Sequence, residues 1–435
     1  MRYTLNSYWM PFTAIKQFKS KPRIVEKSDG MYYTTEDGRK VLDGIAGLWC
    51  VNCGHSRIEV AEAVARQAKE LAYFPSFQMS HPSAFEFADR LAKIAPPGMG
   101  KVFFTNSGSE SVDTALKIAL AYHRLRGKAS KTRLIGRVHG YHGVGFGGMS
   151  VGGLSNNRKF FGSMLGGVDH LSSTLDIKNH AFTKGCPPWD AKYAEEFEKL
   201  IQLHDPSTIA ALIIEPVAGS GGVIMPPENY LKKMREICDK HDILLIFDEV
   251  ITGFGRVGKS FAAVRFGVTP DLMTTAKGLT NGSVPMGAVF AKNEIYDCFI
   301  DEMKAGIELF HGYTYSGHPL GCAAGLASLD IYEKEGLFEK ALTLEKYWED
   351  AVHSLKGLPR VRDLRNLGLI AGIDLEPYPD QPGKAGYDTY LKCFFEENIV
   401  VRYSADILAF SPPLIIEKHH IDELFGKLAK VLKQL

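Results

Sequence analysis

The chain has 435 residues, of which 45% are hydrophobic and 23% charged, and its formal net charge is +1. This is ordinary globular composition, enough for two domains or for one large domain with a satellite. The balanced charge argues against nucleic acid or an anionic membrane as a partner. No apolar run approaches the roughly 18 residues of a membrane span, and the N-terminus lacks a signal pattern, so we expect a cytoplasmic protein.

The first 55 residues predict a small meander of strands followed by a glycine-rich loop. Residues 22–43 carry hairpin-type turn signals at Asp29-Gly30 and at residues 36–38. A meander this short buries little surface alone, so we expect it to pack on a later part of the chain. The segment GLWCVNCGH at residues 47–55 carries Trp49, for which a core position and a pocket wall are both open.

The same loop contains a CxxC pattern at Cys50 and Cys53. A structural zinc site would require a second pair of ligands at fixed spacing, and a thioredoxin-like site would require a helix directly afterwards. Seven scattered cysteines also do not make a disulfide framework. We therefore interpret the cysteines as reduced and mostly buried.

Residues 101–126 predict a strand, a turn and a helix that together can bind an anion. Helical patterns at residues 58–71 and 81–94 come first, separated by an aromatic loop with Phe77. The strand at 101–105 leads into the turn NSGSE, where Ser107 and Glu110 have capping-box spacing. Gly108 and Ser109 would present free N–H groups at the positive end of the helix, which suits a phosphate. An ordinary helix cap is the alternative.

The next strands end beside further polar and aromatic residues. A strand at 133–138 precedes His139-Gly-Tyr141-His142-Gly, where Tyr141 between glycines suits stacking on a flat ring. The two histidines lie three apart, but no acid or cysteine joins them, so we expect no metal. A strand at 209–214 ends in Glu215. We expect loops at residues 145–167 and 179–190.

Within the stretch 243–277, two apolar strands each end beside a residue that can do chemistry. Residues 243–247 (ILLIF) are an unbroken apolar run, as in strands covered on both faces, and Asp248 and Glu249 follow. Residues 272–276 (LMTTA) are a second run, followed by Lys277. Open α/β sheets bind ligands at the carboxyl ends of their strands, so we expect Asp248 and Lys277 at one site.

This pair indicates a pyridoxal-phosphate site. Lysine forms Schiff bases with aldehydes. Pyridoxal phosphate is such an aldehyde, and its ring nitrogen needs an acidic partner to remain protonated. We expect Lys277 at the aldehyde carbon and Asp248 at the ring nitrogen. From these two residues alone, a solvated strand end and a cap remain the alternative.

A second pattern in this stretch, GxGxxG at Gly253, Gly255 and Gly258, is typical of dinucleotide binding. That fingerprint places the glycines directly after a strand, with an acid about 20 residues further on. Here residues 248–252 intervene, and the next acid, Asp271, precedes a strand instead of ending one. An NAD-dependent oxidoreductase is therefore the weaker alternative, from a different class of enzyme.

Strands alternate with helices over residues 101–292, which predicts a mainly parallel, doubly wound α/β sheet. Beyond a helix at 320–335 the pattern changes to a long helix, short strands at 361–363 and 369–374, and a helix at 387–396. We expect a large domain at residues 56–320. A smaller α+β domain would be built from both chain ends, residues 1–55 and 321–435.

Six motifs in this order resemble those of the class III pyridoxal-phosphate aminotransferases. They are NSGSE at 106–110, YHG at 141–143, EPVAG at 215–219, FDEVITGFGR at 247–256, AKG at 276–278 and YTYSGHP at 313–319. The resemblance covers nearly the whole chain. YWMPF at 8–12 and GRKVLDGIAGLWCVNCGH at 38–55 look most like the ω-amino acid branch, in particular β-alanine–pyruvate aminotransferases. Val257 and Ser111 stand where the family usually has threonine and alanine.

The resemblance implies a fold-type-I homodimer, or a dimer of dimers, with two active sites at the subunit interface. It gives Lys277 the Schiff base, Asp248 the ring nitrogen and Tyr141 the stacking role. The remaining roles it implies are phosphate binding for Gly108 and Ser109, packing on the opposite ring face for Val250, orientation near the ring oxygen for Glu215, contact with the neighbouring subunit's cofactor phosphate for Thr314, and substrate-pocket lining for Trp49 and Phe77.

The implied reaction moves an amino group from an ω-amino acid or amine (β-alanine-like or arylalkylamine) to a keto acid, and pyruvate is the expected acceptor. Arg402 aligns with the carboxylate-binding arginine of this branch, and a guanidinium fork matches a carboxylate. Read alone, Arg402 would be a surface cation. A decarboxylase and an aminomutase with the same cofactor residues are the alternatives within the family.

Overall fold

The structure is a computed structural model that describes residues 3–304 and 306–435. The strands are β1 (Val25–Asp29), β2 (Tyr32–Thr35), β3 (Lys40–Asp43), β4 (Lys101–Thr105), β5 (Arg133–Arg137), β6 (Val168–Leu171), β7 (Ile209–Ile214), β8 (Leu244–Asp248), β9 (Leu272–Thr275), β10 (Gly287–Ala291), β11 (Val361–Leu367), β12 (Ile370–Leu375), β13 (Ile399–Val400), β14 (Arg402–Ser404) and β15 (Ile407–Phe410).

The helices predicted at residues 58–71, 81–94, 320–335 and 387–396 and the one after the turn NSGSE are present, with ends within a few residues of those predicted. The helices are α1 (Ile15–Ser20), α2 (Ala46–Trp49), α3 (Ile58–Glu70), α4 (Pro82–Ile94), α5 (Gly108–Leu125), α6 (Phe146–Val151), α7 (Ile177–His180), α8 (Lys192–His204), α9 (Tyr230–Lys240), α10 (Ala262–Phe266), α11 (Asn293–Glu302), α12 (Pro319–Lys334), α13 (Leu337–His353), α14 (Lys384–Phe395) and α15 (Lys418–Leu432).

The large sheet has seven strands in the order β4-β10-β9-β8-β7-β5-β6. Strand β10 runs antiparallel to both of its neighbours, and the other pairings between β9 and β6 are parallel. Every residue of β7 to β10 is buried, which explains their unbroken apolar sequences. The prediction of a mainly parallel, doubly wound sheet is confirmed.

Two four-stranded sheets lie outside this large sheet. One has the order β1-β2-β3-β13, and the other has the order β11-β12-β15-β14. In the first sheet the predicted meander β1–β3 gains β13 as a parallel partner, with Leu42 opposite Ile399. The early meander therefore packs with the end of the chain, as its small size suggested.

The structure differs from the sequence prediction where a glycine-rich segment, predicted to be loop, contains a short helix. Within residues 145–167, expected to be loop, α6 lies close against β5. A Cβ built on Gly136 would lie only 1.9 Å from the carbonyl oxygen of Val151, so this approach requires glycine. Strand β11 is also longer than residues 361–363, because it continues as a hairpin with β12. No helix in the two described ranges is long and apolar enough to cross a membrane.

Candidate active site

A cavity of about 140 Å³ opens at the carboxyl edge of the large sheet. Strand β8 ends there in Asp248, and Lys277 follows β9 by two residues. The cavity is lined by Gly108, Ser109, Tyr141, His142, Gly143, Glu215, Asp248, Val250, Ile251, Ala276 and Lys277. The structure thus brings together seven of the eight residues predicted to contact the cofactor. The eighth, Thr314, lies elsewhere.

The carboxylate of Asp248, whose side chain is only 5% exposed, is oriented by two hydrogen bonds. One carboxylate oxygen accepts a hydrogen bond from the backbone N–H of Val250 at 3.1 Å. The other lies 2.8 Å from Nδ1 of His142, whose ring is buried. With Nδ1 protonated, His142 donates to the carboxylate and keeps it pointing in one direction.

His142 was not assigned this role from the sequence, where we weighed it only as a metal ligand with His139. It reaches Asp248 because β5 and β8 are near neighbours in the sheet, separated only by β7. That neighbourhood is set by strand order, which no local pattern around residue 142 shows. The Nε2 atom of His142 is buried and has no partner among the described residues.

Lys277 lies opposite, in a backbone conformation that is unusual for lysine, with φ at +52°. Its carbonyl accepts a hydrogen bond from the N–H of Gly282 at 3.1 Å, which closes the turn after β9. Its ammonium makes no hydrogen bond or ion pair within the described part of the chain. Burial lowers the pKa of this ammonium, and the charges of Cys50 and Asp248 oppose the change.

Glu215 follows β7 and fixes the loop that carries Tyr141. Its two carboxylate oxygens accept hydrogen bonds from the N–H groups of Tyr141 and Gly219, each at 2.9 Å. Burial nevertheless raises the pKa of Glu215 to about 7. Tyr141 is therefore held over the cavity by an acid that belongs to the next strand of the sheet.

The turn before α5, where we predict an anion site, lines the cavity with Gly108 and Ser109. Ser107 accepts a hydrogen bond from the N–H of Glu110 at 3.2 Å, as its capping role requires. The carboxylate of Glu110 reaches past Ser107 and accepts from the N–H of Asn106 at 2.7 Å, so only half of the predicted capping box forms. Ser109 Oγ accepts from the N–H of Val144 at 3.1 Å, and its own hydrogen remains free to donate.

Three features of the cavity fit pyridoxal phosphate. The helix N-terminus with Gly108 and Ser109 suits the phosphate, the fixed carboxylate of Asp248 suits a protonated ring nitrogen, and the unpaired amine of Lys277 suits an aldehyde. Gly108 is needed for this shape, because a Cβ there would lie 2.9 Å from the side chain of Val250. Val250 also lines the cavity, so Gly108 at the phosphate end lies directly against a residue of the ring end.

Arg402 lies in β14 and borders this site without lining the cavity. Its side chain forms no hydrogen bond or ion pair among the described residues, and its buried Nε has no partner. Burial lowers the pKa of its guanidinium. Its charge also counters the effect of burial on the pKa of Tyr141. Arg402 is thus a half-buried cation without an acid.

Trp49, Phe77 and Thr314 also lie outside the cavity lining. Trp49 is 2% exposed and packs in a cluster with Ile251, which does line the cavity, so it stands one layer behind. Phe77 is 56% exposed. A Cβ built on Gly312 would lie 3.0 Å from its ring, which places Phe77 against the loop that carries the exposed Thr314.

Arg256, the last residue of the FDEVITGFGR motif, ties the site to the C-terminal sheet. Its buried guanidinium donates to the carbonyls of Leu369 and Pro412 and to the side chain of Asn52. Burial without an acid lowers its pKa to about 9. Asn52 in turn donates to the carbonyl of Phe254 at 2.9 Å. The first half of the motif therefore lines the cavity through Asp248 and Val250, and its last residue holds the C-terminal part of the chain in place.

Comparison with known proteins agrees with this site. The family model "Aminotransferase class-III" matches residues 15–432. An omega-aminotransferase of Caulobacter vibrioides is 58% identical over 431 residues, covering 99% of this chain and 98% of its own. A beta-alanine–pyruvate aminotransferase of Pseudomonas aeruginosa is 47% identical, covering 98% and 96%. The solved structure of a Pseudomonas jessenii omega transaminase in complex with PMP aligns with a TM-score of 0.93 at 33% identity, covering 99% and 96%.

The sheet, the strand-end acid and the half-buried lysine together define a pyridoxal-phosphate enzyme of fold type I. More closely, the chain belongs to the class III aminotransferases. Its activity is therefore amino-group transfer with pyridoxal 5'-phosphate as cofactor.

Proposed function

We propose that the enzyme transfers an amino group from an ω-amino acid or an amine, β-alanine-like or arylalkyl, to pyruvate. The observation that carries this proposal is Arg402, a half-buried guanidinium that has no acidic partner in the described chain. A keto acid brings the missing carboxylate. The names of the two relatives above, an omega-aminotransferase and a beta-alanine–pyruvate aminotransferase, support the same substrate classes.

The residues that face the cavity divide the work among binding, orientation and proton transfer. When bound, pyridoxal phosphate supplies an aldehyde that takes up the amino group and a ring that withdraws electrons. Asp248 holds a proton at the ring nitrogen, and His142 keeps the carboxylate aligned. Lys277 Nζ, whose pKa is lowered by burial, would take a proton from the substrate carbon and deliver it to the carbon of the cofactor's former aldehyde group.

The pocket must accept two unlike substrates in turn, and Arg402 is the residue that distinguishes them. Pyruvate presents a carboxylate that the guanidinium fork can bind in a bidentate manner. An arylalkylamine presents an apolar group at the same place and gains nothing from the cation. We expect Arg402 to contribute chiefly to the half-reaction of the keto acid.

We further propose that the enzyme is a homodimer, or a dimer of dimers, in which Thr314 contacts the cofactor phosphate of the neighbouring subunit. Thr314 is exposed and does not line the cavity of its own chain. Large exposed side chains surround it, with Phe77 at 56%, Phe310 at 89% and Tyr315 at 56% exposure. Apolar surface of this kind marks a contact with another protein.

Mixing two inactive variants tests this assembly. A dimer formed from one Thr314→Ala chain and one Lys277→Ala chain would carry both lesions in one site and neither in the other, so we expect activity to return. If Thr314 served the site of its own chain, every site would remain damaged and mixing would restore nothing.

We propose the division into residues 1–55, 56–320 and 321–435, with the first and last parts forming one small domain, because β3 and β13 share a sheet. We also propose a cytoplasmic location, which the seven free cysteines support, since thiols persist in a reducing compartment.

A panel of amine donors with pyruvate as acceptor tests the proposed substrates. We expect alanine to form in step with the loss of β-alanine or an arylalkylamine, and Lys277→Ala to form none. Amine consumption without pyruvate, with release of carbon dioxide, would indicate a decarboxylase. A rearranged amine without pyruvate would indicate an aminomutase.

A further inference from the structure

The loop that carries Thr314, residues 310–316 (hereafter the Thr314 loop), is fastened to helix α5. Thr114 Oγ1 lies 2.9 Å from Nε2 of His311 and 3.2 Å from the hydroxyl of Tyr313. The Tyr313 hydroxyl also donates to the carbonyl of Glu110 at 3.3 Å. These side chains and that carbonyl are called the Tyr313 bridge below.

Helix α5 is also the helix whose N-terminus forms the anion site. Glu110 takes part in both structures, because its carboxylate closes the turn through Asn106 while its carbonyl accepts from Tyr313. The ring of His311 stacks on Phe103 of β4, with centroids 5.6 Å apart, so the bridge also rests on the strand that leads into the turn. One turn of α5 therefore contacts both the phosphate end of its own cavity and the Thr314 loop.

Other contacts hold the Thr314 loop from the opposite side. The hydroxyl of Tyr73 donates to the carbonyl of Thr314, and Ser76 donates to the carbonyl of Ser316, each at 2.9 Å. These bonds fix the main chain of the loop to the segment that carries Phe77. Loss of the Tyr313 bridge would therefore shift the loop relative to α5 without releasing it from the protein.

We infer that Tyr313, Thr114 and His311 are positioning residues that couple the two cofactor sites of the dimer through α5. The inference rests on the proposal that Thr314 serves the neighbouring subunit. A phosphate bound at the turn of one chain steadies Glu110 and hence the Thr314 loop, which reaches the other site. Because coupling is reciprocal, loss of cofactor from one site weakens retention at the other.

Mixed dimers of wild-type and Tyr313→Phe chains, one of them carrying a mass tag, test the inference on the holoenzyme. Cofactor is removed by dialysis, samples are reduced with borohydride at timed intervals, and the label on Lys277 of each chain is counted by mass spectrometry. We expect the label to disappear about two- to tenfold faster from the wild-type chain, as for loss of one net hydrogen bond. That chain's own turn and lysine are intact, so its loss comes from the neighbour's loop.

Tyr296→Phe is the matched control. Tyr296 lies on α11, is 44% exposed, and its hydroxyl makes no hydrogen bond in the described part of the chain. We expect equal label loss from the two chains in its mixed dimers. Thr114→Val removes the bonds from Thr114 to His311 and Tyr313, keeps the side-chain shape and leaves the Tyr313 bond to the Glu110 carbonyl. It should shift label loss in the same direction as Tyr313→Phe, and it tests the bridge even if Tyr313→Phe folds poorly.

The coupling has its own signature in the pure dimers. In wild type the second cofactor should leave faster than the first beyond the statistical factor, and in Tyr313→Phe dimers this difference should disappear. A bridge that only stabilised its own chain would leave the difference unchanged, and the inference would then be wrong.

Mixed dimers of wild-type and Thr314→Ala chains distinguish a failure of the coupling through α5 from a failure of the proposed contact across the interface. If Thr314→Ala depletes the neighbouring chain but Tyr313→Phe behaves as Tyr296→Phe does, the coupling through α5 is overturned and the proposed assembly stands. If Thr314→Ala depletes its own chain, the proposed contact across the interface is itself wrong. Depletion of the variant's own Lys277 by Tyr313→Phe alone would show that the bridge serves only its own site.

Discussion

The inner part of the site, around Asp248 and Glu215, and the outer part, around Phe77 and Thr314, differ in how completely this chain covers them. In the inner part, Asp248 and Glu215 are buried, and every hydrogen bond that orients them comes from the same chain. In the outer part, Phe77, Phe310 and Thr314 project from the chain with most of their surface uncovered. A single chain therefore preorganises the chemical groups, whereas the outer residues are left uncovered by this chain and would be covered by a second copy in the proposed dimer.

The geometry of the inner part should depend less on protein concentration than that of the outer part. Groups preorganised within one chain keep their geometry regardless of protein concentration, while a wall supplied by a partner depends on association. Changes to the inner part should therefore affect the chemical step directly. Changes to the outer part should affect cofactor retention and substrate choice.

The largest expected effect is that of Lys277→Ala, which removes the amine from the inner part. We expect turnover to fall by at least roughly 10²–10⁴-fold, the usual worth of a positioned acid–base group. The purified variant should lose the visible absorption of the wild-type protein, and borohydride should no longer label residue 277. Lys259→Ala, at an exposed lysine, is the control. Labelling that mapped to a different lysine in wild type would contradict the assignment.

Asp248→Asn should have the next largest effect, because it removes a buried charge and leaves His142 facing an amide. Losing a charge-assisted hydrogen bond costs about 1.5–3 kcal/mol, and here the ring nitrogen depends on the same charge. We expect a large fall in kcat with only a modest loss of bound cofactor, measured by absorbance after gel filtration. Near-normal kcat would mean that Asp248 is structural.

Arg402→Ala tests the boundary between the two parts, because it should damage one half-reaction and spare the other. We expect the pyruvate half-reaction to weaken by about 2–5 kcal/mol, the cost of truncating a buried charge pair. The amine half-reaction, followed as bleaching of the visible band in a single turnover, should change little. Arg402→Lys should restore only part, since an ammonium lacks the planar fork. Equal damage to both half-reactions would assign carboxylate binding to another residue.

His142→Leu should have the smallest effect, since it acts only through Asp248. The lost hydrogen bond leaves one carboxylate oxygen with less support, at a cost of about 1–3 kcal/mol. We expect kcat to fall while KM for the amine stays nearly constant, and the visible band of the holoenzyme to shift because ring protonation weakens. A KM change without a spectral shift would show that His142 merely fills space.

The sequence allows most of the inner part to be predicted and little of the outer part. Asp248 and Lys277 follow unbroken apolar runs, and a buried parallel strand places its last residues at the ligand edge whatever surrounds it. The turn at residues 106–110 is likewise local, so its anion site was predictable. Even there, the Glu110 carboxylate bonds to Asn106 and not to Ser107, a shift of one residue that spacing does not show.

Contacts between distant strands and between chains carry no local signal. His142 meets Asp248 because β5 and β8 lie on either side of β7, and α6 lies close to β5 because Gly136 has no side chain. The roles of Trp49, Phe77, Arg402 and Thr314 came from resemblance alone. The structure places Arg402 in β14, outside the cavity lining, and Thr314 on the exposed surface, and their assigned contacts stay predictions.

The pairing of β3 with β13 bears on how the chain is made. Strand β3 emerges early from the ribosome, but its partner follows only near the end of synthesis. Arg39 likewise waits for the carbonyl of Phe394 and the side chain of Asn398, both at 3.0 Å in the finished protein. Until then Leu42 lies on an open strand edge, the kind of surface that aggregates during slow folding. Refolding should therefore be rate-limited by this long-range closure, and a chain truncated before β13 should aggregate although its catalytic residues are all present.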